Sequence, residues 1–218
     1  ANALGLVASE GPRVFYEGEL AQRILSGLRE AGGLLTETDF AEHTADWVEP
    51  LRTTYRGYEV TELPPNTQGI ATLMLLNLLE NADLQQIGHG TADYYHLMAE
   101  AVKLAFADRD EWVTDPTFLD IPYKDLLSKQ RAKERYGQID MQTARPEDEI
   151  RVGVERQPAG GDTVYLCAVD ENGQCCSLIQ SVYFEFGSAF MPPGTGILLQ
   201  NRGSFFSLNP DAPNALEP

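Results

Sequence analysis

The spacing of apolar residues near the start of the chain predicts two helices. Leu20, Ile24 and Leu28 recur every four residues and a glycine pair follows them, which is typical of an amphipathic helix closed by glycine. Thr36 comes next, and Asp39 lies three residues beyond it. A hydroxyl followed by a carboxylate at this spacing favours a capped, short second helix.

The middle of the chain alternates between strand-like and helix-like patterns. Residues 47–63 carry β-branched and aromatic side chains broken by an Arg-Gly pair, which predicts two short strands or a hairpin. Residues 67–79 follow two prolines and are rich in Leu, Ala, Ile and Met, so we expect a mostly buried helix. A longer helix is predicted over 93–108. Two more short helices are predicted at 124–128 and 130–135.

The pattern changes again in the last third of the chain. Residues 137–162 are polar, contain two prolines and have no periodicity, so they predict a mobile connector. The stretches VYLCAV and QCCSLIQSV that follow are apolar on both faces, as expected for strands in a sheet covered on both sides. Cys167, Cys175 and Cys176 have neither disulfide nor zinc spacing, and we expect them to be small buried side chains in these strands.

The negative net charge of the chain disfavours two classes of partner, nucleic acids and anionic membranes. Sixteen Lys and Arg against 33 Asp and Glu give a formal net charge of -17, which repels phosphate backbones and anionic lipid surfaces. No apolar run approaches the length that spans a bilayer. We therefore expect a soluble protein without nucleic-acid or membrane partners. Whether it is cytoplasmic or periplasmic stays open, since any export signal would precede Ala1.

The junction between the connector and the first apolar strand is the most informative position. Thr163 would open that strand, and cleavage of the Asp162-Thr163 bond would make it a new N-terminus. Its hydroxyl could then attack an acyl carbon while its freed α-amine serves as the base. Before cleavage the same nitrogen is an amide without basicity, so the precursor would be inactive. The plain alternative is that Thr163 merely begins a strand, as β-branched residues often do.

The expected hairpin places a second hydroxyl beside Thr163. An Asp-Glu-Asn-Gly segment begins at Asp170 and favours a type I turn with a left-handed last residue, which makes a three-residue loop. If Asp170 pairs with Gln174, Thr163 lies opposite Ser181 at roughly 5 Å between Cβ atoms, and Tyr183 projects from the same face. A two-residue Asn-Gly loop would shift the register by one and move Ser181 to the other face.

Several segments together resemble one enzyme family. TVYLCAVDENG followed by FGSAFMPPGTGILLQN is similar to the start of the small subunit of gamma-glutamyltranspeptidases, which are N-terminal nucleophile hydrolases. The earlier part resembles, in order, the later portion of that family's large subunit. The resemblance therefore covers nearly the whole chain. The matching segments of the first part are FYEGELAQRI, GGLLTETDF, YRGYEVTELPPNTQGIATLMLLNLLE and EAVKLAFADRDEWVTDP.

The resemblance assigns expected roles to particular residues. Thr163 falls on the catalytic threonine, and Ser181 falls where a hydroxyl residue orients that nucleophile. Tyr183, Asn201 and Arg202 fall in segments that bind the substrate. The family's chemistry requires no cofactor and no metal. A small-molecule amide is the implied substrate.

The substrate segment departs from the usual family pattern. Where that pattern has an acidic residue to hold the substrate's α-amino group, this chain has Phe205, and Tyr183 stands in the place of an asparagine. A cationic amine in a pocket needs an opposite charge or several acceptors. Arg202 and Phe205 therefore favour an acyl group that bears a carboxylate and no free amine, as in the branch that includes oxamate amidohydrolases and is related to cephalosporin acylases. Alternatively, Arg202 is a solvated surface charge.

The resemblance also predicts the fold and the missing parts. We expect an α+β chain forming part of a four-layer αββα sandwich, as a fragment of a proenzyme: 1–136 from the large subunit, 137–162 the connector and 163–218 from the small subunit. The remaining subunit segments would be its partners, with a homo-oligomer possible. They would supply an arginine for the substrate carboxylate and a glycine pair for the oxyanion hole, so the isolated chain should be inactive. An uncleaved, inactive fragment or a purely binding protein remains the alternative.

Other polar residues favour structural roles. Asp108, Asp110 and Asp115 lie at a predicted helix end, where salt bridges and caps are more common than catalytic carboxylates. The proline-rich turn at 64–69 lacks the lysine and glycine spacing of a phosphate loop. The histidines have no partner at metal-ligand spacing. They are His43, His89 and His96.

Overall fold

The computed structural model describes residues 2–146, 163–210 and 215–216, which fall into two compact units. One unit comprises the described parts of 1–46 and 156–207, and the other those of 47–155 and 208–218. In these described parts, no helix combines the length and the apolar character needed to span a membrane. The elements of the first unit are three helices, two strands and two 3₁₀ turns: α1 (Asn2–Glu10), α2 (Glu19–Glu30), α3 (Glu37–Ala41), β3 (Thr163–Val169), β4 (Cys175–Ser181), and the turns at Pro12–Phe15 and Arg202–Phe205. The elements of the second unit are two strands and five helices: β1 (Leu51–Tyr55), β2 (Tyr58–Glu62), α4 (Gly69–Leu79), α5 (Leu84–Ile87), α6 (Ala92–Trp112), α7 (Tyr123–Leu126) and α8 (Lys129–Tyr136).

The hairpin predicted for 47–63 is confirmed as β1 and β2 of the second unit. The strands are antiparallel, with Tyr55 paired to Tyr58 across a two-residue turn. Both turn residues have positive φ, 49° at Arg56 and 88° at Gly57. A two-residue turn of this kind matches the twist of the flanking strands, which is why the Arg-Gly pair marks the reversal.

The core of the second unit lies between α4 and α6. Ile70 and Leu97 are completely buried there, so both helices predicted from apolar spacing are confirmed. The longer helix extends four residues beyond its predicted end, to Trp112. It begins after Thr91, whose hydroxyl accepts a hydrogen bond from the backbone N–H of Tyr94.

Buried polar residues tie α8 to this core. The carboxylate of Asp108 is 4% exposed and accepts hydrogen bonds from Arg131 at 3.0 Å and Arg135 at 3.2 Å. Asp115 accepts a hydrogen bond from the backbone of Thr117. The expected structural role is confirmed for both: Asp108 is a buried charge, which is tolerated only when it is paired, and exposed Asp115 holds the turn at Thr117.

The first ten residues of the predicted connector, 137–146, lie against α6. Buried Glu100 accepts hydrogen bonds from Lys103 at 2.7 Å and from the backbone N–H of Arg145 at 3.2 Å. Lys103 also donates to the carbonyl of Arg145, and His96 is 2.8 Å from the carbonyl of Asp140. The rest of the predicted connector, 147–162, lies outside the described residues.

In the first unit, α2 supports the loop that leads to the predicted substrate segment. Leu20 and Ile24 are buried and pack with Ile197 and Leu199. Gly27 lies so close to the loop that a Cβ there would come within 2.9 Å of Pro193. Only glycine therefore permits this approach of helix and loop. The helix predicted after Thr36 is confirmed as α3, with Thr36 and Asp39 forming the full capping box.

The last two strands form an antiparallel hairpin, but its burial differs from the prediction. Every residue of β3 and β4 is exposed, and Cys167, Cys175 and Cys176 are exposed free thiols. The expectation of buried cysteines in a sheet covered on both sides is wrong for the described residues. The reason is that, in the described part of the chain, β3 and β4 pair only with each other and no other segment packs over either face closely enough to bury a residue.

Candidate active site

The hairpin register brings the two predicted hydroxyls together. Thr163 is the first residue of β3 and lies directly opposite Ser181, the last residue of β4. The Thr163 hydroxyl donates a hydrogen bond to Oγ of Ser181 at 3.0 Å. The predicted register is confirmed, and the alternative two-residue loop is excluded.

The loop between the strands fixes this register. The backbone N–H of Asp170 donates to the carbonyl of Gln174 at 3.0 Å, and Gly173 closes the turn with φ of 79°. The Asp170 carboxylate accepts hydrogen bonds from the backbone N–H groups of Gln174 and Asn172. These N–H donors, Gln174 first, lower the pKa of Asp170 because they stabilise its charged form.

Ser181 is held from a second side by the chain that follows it. Its Oγ also accepts a hydrogen bond from the backbone N–H of Tyr183 at 2.9 Å. The strand ends at Ser181, and Tyr183 has a positive φ of 78°, which is uncommon for a residue with a side chain. Strand alternation, from which its orientation was predicted, therefore does not extend to Tyr183.

The predicted substrate residues lie beside this turn. The backbone N–H of Asn201 donates to the carbonyl of Val182 at 3.2 Å, and its side-chain Oδ1 accepts from the N–H of Phe184 at 3.0 Å. The guanidinium of Arg202 lies 5.4 Å from the centre of the Tyr183 ring, within cation–π range. Thr163, Ser181, Tyr183, Asn201 and Arg202 thus form one connected group, whereas Asp162 lies outside the described residues.

The sequence did not predict how the segment after β4 returns to the substrate segment. Ser188 donates two hydrogen bonds to the carbonyl of Leu199, from its N–H at 2.8 Å and from its hydroxyl at 2.9 Å. Gly187 sits so close that a Cβ would lie 2.3 Å from the same oxygen. The Gly-Ser pair at 187–188 was the sequence signal for this contact, because a close approach of another backbone segment requires a residue without a side chain.

Metal ligands do not cluster in the described ranges, 2–146, 163–210 and 215–216. His, Cys, Asp and Glu form no group of three there that could hold an ion. The polar side chains that the structure brings together here are the hydroxyls of Thr163 and Ser181, and the guanidinium of Arg202 lies over the Tyr183 ring.

Comparison with known proteins decides the family. The family model for gamma-glutamyltranspeptidase matches residues 1–218, the whole chain. The chain belongs to the gamma-glutamyltranspeptidase family. The resemblance of the quoted segments is therefore confirmed.

Individual relatives support the same assignment. A glutathione hydrolase-like proenzyme of Bacillus subtilis (strain 168) is 48% identical over 218 residues, all of this chain and 40% of the relative. An oxamate amidohydrolase proenzyme of Klebsiella pneumoniae is 37% identical over 218 residues, again all of this chain and 40% of the relative. The crystal structure of a cephalosporin acylase from Bacillus halodurans aligns with a TM-score of 0.84 and 39% identity, over all of this chain and 38% of that one.

These comparisons settle the fold class. The solved structure and the family membership place the chain among N-terminal nucleophile hydrolases, so the predicted α+β part of an αββα sandwich is confirmed. The chain spans about two fifths of the length of the proteins it matches.

Proposed function

We propose that the protein is an autoprocessing amidase whose nucleophile is the hydroxyl of Thr163. Cleavage before Thr163 would release its α-amine. The hydroxyl would then attack an amide carbonyl, passing its proton to that amine, which returns it to the departing amine or ammonia. Water would hydrolyse the resulting Thr163 ester to free the acid, or another amine would take the acyl group.

The observation that supports this proposal most directly is the 3.0 Å hydrogen bond between Thr163 and Ser181. A nucleophile requires a neighbour that fixes the direction of its hydroxyl, and Ser181 occupies that place across the hairpin. Both side chains are exposed, so an acyl group can approach them. We assign Ser181 the role of orienting the nucleophile.

The group that binds the acyl portion would be Tyr183, Asn201 and Arg202. Family membership favours gamma-glutamyl compounds such as glutathione as substrates. A second candidate is favoured by the position of Arg202 on the Tyr183 ring, because a guanidinium is suited to a carboxylate. Phe205 stands where the family pattern has the acidic residue that would hold the α-amino group of a gamma-glutamyl substrate. Amides of small dicarboxylic acids, such as oxamate or glutaryl amides, fit this pair.

We further propose that the chain contains parts of two subunits. Residues 1–136 would belong to the large subunit, 137–162 to the connector and 163–218 to the small subunit. The partners would be the remaining segments of the same proenzyme. Those segments would supply the oxyanion hole, and losing even one oxyanion donor slows acyl transfer by about 10²- to 10³-fold. The isolated chain would therefore be inactive.

Cleavage of the full-length protein tests the proposal. Mass spectrometry should find a new N-terminus at Thr163 in the wild type and none in the Thr163→Ala variant, which lacks the attacking hydroxyl. Thr163→Ser, which keeps the hydroxyl, is the matched control and should still be cleaved. Amidase activity of Thr163→Ala should fall by at least about 10⁴-fold. A wild-type precursor that stays intact after prolonged incubation would instead support an inactive or purely binding protein.

Substrate class needs a separate measurement on the processed enzyme. A panel of gamma-glutamyl, oxamate and glutaryl amides should be compared by kcat/KM. If Arg202 and Phe205 act as proposed, amides whose acyl group carries a carboxylate and no amine are turned over fastest. Turnover of gamma-glutamyl amides alone would contradict the proposed role of this pair.

A further inference from the structure

The turn around Tyr183 is held on both sides by a single residue. The backbone N–H of Asn201 donates to the carbonyl of Val182 at 3.2 Å, just before Tyr183. Its side-chain Oδ1 accepts from the N–H of Phe184 at 3.0 Å, just after Tyr183. Since a backbone N–H can only donate, the side-chain oxygen of Asn201 must face Phe184. That oxygen is therefore engaged within the protein.

This turn needs such support because it is strained. Tyr183 has φ of 78°, a backbone conformation that is unfavourable for a residue with a side chain. Such a conformation persists only where the surrounding contacts over-determine it. The contacts that hold this turn include the two bonds to Asn201, the bond from the Tyr183 N–H to Ser181 and the packing of the Tyr183 ring with Phe184 and Arg202.

The same turn connects Asn201 to the nucleophile. Ser181 Oγ accepts both the Tyr183 N–H and the Thr163 hydroxyl, at 2.9 and 3.0 Å. If the turn relaxed, the Tyr183 N–H would move away and Ser181 would be free to change its rotamer. The direction of the Thr163 hydroxyl would then no longer be fixed.

We infer that Asn201 is a positioning residue for the nucleophile: its side-chain oxygen keeps the turn at Tyr183 in its strained conformation, and the turn keeps Ser181 aligned with Thr163. This inference rests on the proposed function and changes the role of Asn201 within it. Asn201 would act through Ser181 rather than mainly by contact with the acyl group.

The rate of autoprocessing distinguishes a role of Asn201 in positioning the nucleophile from a role in binding the acyl group. Autoprocessing uses the Thr163 hydroxyl but no added substrate. In the full-length protein, Asn201→Ala should slow cleavage before Thr163 by about tenfold, the effect of one lost hydrogen bond. Asn201→Asp keeps an oxygen for the Phe184 N–H and should restore the rate to within about threefold of wild type. Gln174→Ala removes an exposed amide from the hairpin turn and serves as the matched control.

The strain supplies a second test. Tyr183→Gly removes the penalty for a positive φ, so the turn would depend less on Asn201. Asn201→Ala should therefore slow cleavage less in the Tyr183→Gly background than in the wild type. If Asn201→Ala alone does not fold, the comparison is made between Tyr183→Gly and the Tyr183→Gly/Asn201→Ala double variant. The glycine lowers the strain in the turn, so the turn depends less on the lost bond between Asn201 and Phe184. Folding is checked by circular dichroism.

The processed enzyme provides an additional readout. Because Asn201 would align the nucleophile, Asn201→Ala should lower kcat for every amide in the panel, and Asn201→Asp should recover most of it. A residue that only contacts the acyl group would instead raise KM selectively.

The outcomes distinguish this inference from the proposed function. Cleavage of Asn201→Ala at the wild-type rate, or equal slowing in both backgrounds, would overturn the positioning role. Thr163→Ala would still block cleavage in that case, and the proposed function would stand. A wild-type protein that is never cleaved would overturn both.

Discussion

Helix α4 and the β3–β4 hairpin are both rich in apolar residues, but their surroundings are opposite. Apolar residues lie on more than one face of each segment, and this pattern predicted burial for both. Ile70 and Leu73 in α4 are fully buried, whereas Leu166 and Leu178 in the hairpin are both 46% exposed. The comparison shows that an apolar pattern indicates that a segment needs to be covered. It does not indicate which polypeptide covers it.

Polar residues show the same contrast. Asn77 of α4 is buried, and its amide is satisfied by Thr53 at 2.7 Å and the carbonyl of Leu127 at 3.0 Å. Thr163 and Ser181 of the hairpin bond to each other in an exposed position. The second unit therefore has a core of its own, while the hairpin leaves both its faces and its two hydroxyls exposed.

The largest expected difference concerns the three cysteine thiols of the hairpin. Cys167 and Cys175 share a face with Thr163, and Cys176 is on the opposite face. In the 218-residue chain all three should react with a thiol reagent as exposed thiols. If other segments of the full-length protein cover the hairpin, labelling should slow by about a hundredfold or more, since it then requires local opening.

The unfolded full-length protein, in which all three thiols react, is the control for this measurement. Equal labelling rates in the folded chain and the folded full-length protein would mean that the hairpin stays uncovered. Slow labelling of Cys176 alone would show that only one face is covered.

Core substitutions should give a smaller but clear difference. Leu73→Ala in α4 should lower the free energy of unfolding of the 218-residue chain by about 2–5 kcal/mol, because it leaves a cavity. Leu178→Ala makes the same chemical change at a half-exposed site and should lower it by less than about 1 kcal/mol. Denaturation in urea followed by the fluorescence of Trp112, which packs against the core around α4, measures the first effect.

The second substitution lies in the first unit, so its effect is followed by the amide chemical shifts of β3 and β4 during the same denaturation. Equal losses for both substitutions would contradict the contrast between the two segments. In the full-length protein, we expect Leu178→Ala to approach the Leu73→Ala value if the hairpin is covered there.

Local signals explain what the sequence could predict. The Arg-Gly turn, the Thr36 cap and the three-residue loop after Asp170 are each determined by neighbouring residues, and each was confirmed. The register of Thr163 against Ser181 followed from that loop alone. The group of residues around it was implied by family resemblance.

Long-range contacts explain what the sequence could not predict. The positive φ of Tyr183 and its support by Asn201 depend on segments that are far apart in sequence, and no local pattern marks them. The attachment of residues 137–146 to α6 depends on buried Glu100, whose sequence context is that of an ordinary helix. Helix α1 was not predicted, although Ala3, Leu6 and Val7 stand at helical spacing and pack against the core of the first unit.

The smallest expected effect is the pH dependence of the hairpin loop. In an exposed hairpin the register depends on the loop rather than on packing, and the Asp170 carboxylate is part of that loop. Its pKa is lowered from the ordinary 3.8, chiefly by the N–H of Gln174. The stabilisation is therefore complete above pH 3.8 and is lost as the pH falls through the lowered pKa, when the carboxyl is protonated.

The amide chemical shifts of Asn172 and Gln174 should report a titration with a midpoint below 3.8. Asp170→Asn should abolish that titration, and Glu171→Gln, an exposed neighbour, should leave it in place. A midpoint at or above the ordinary value would mean that the Asp170 carboxylate does not hold the loop, and the register of Thr163 would then need support from outside the hairpin.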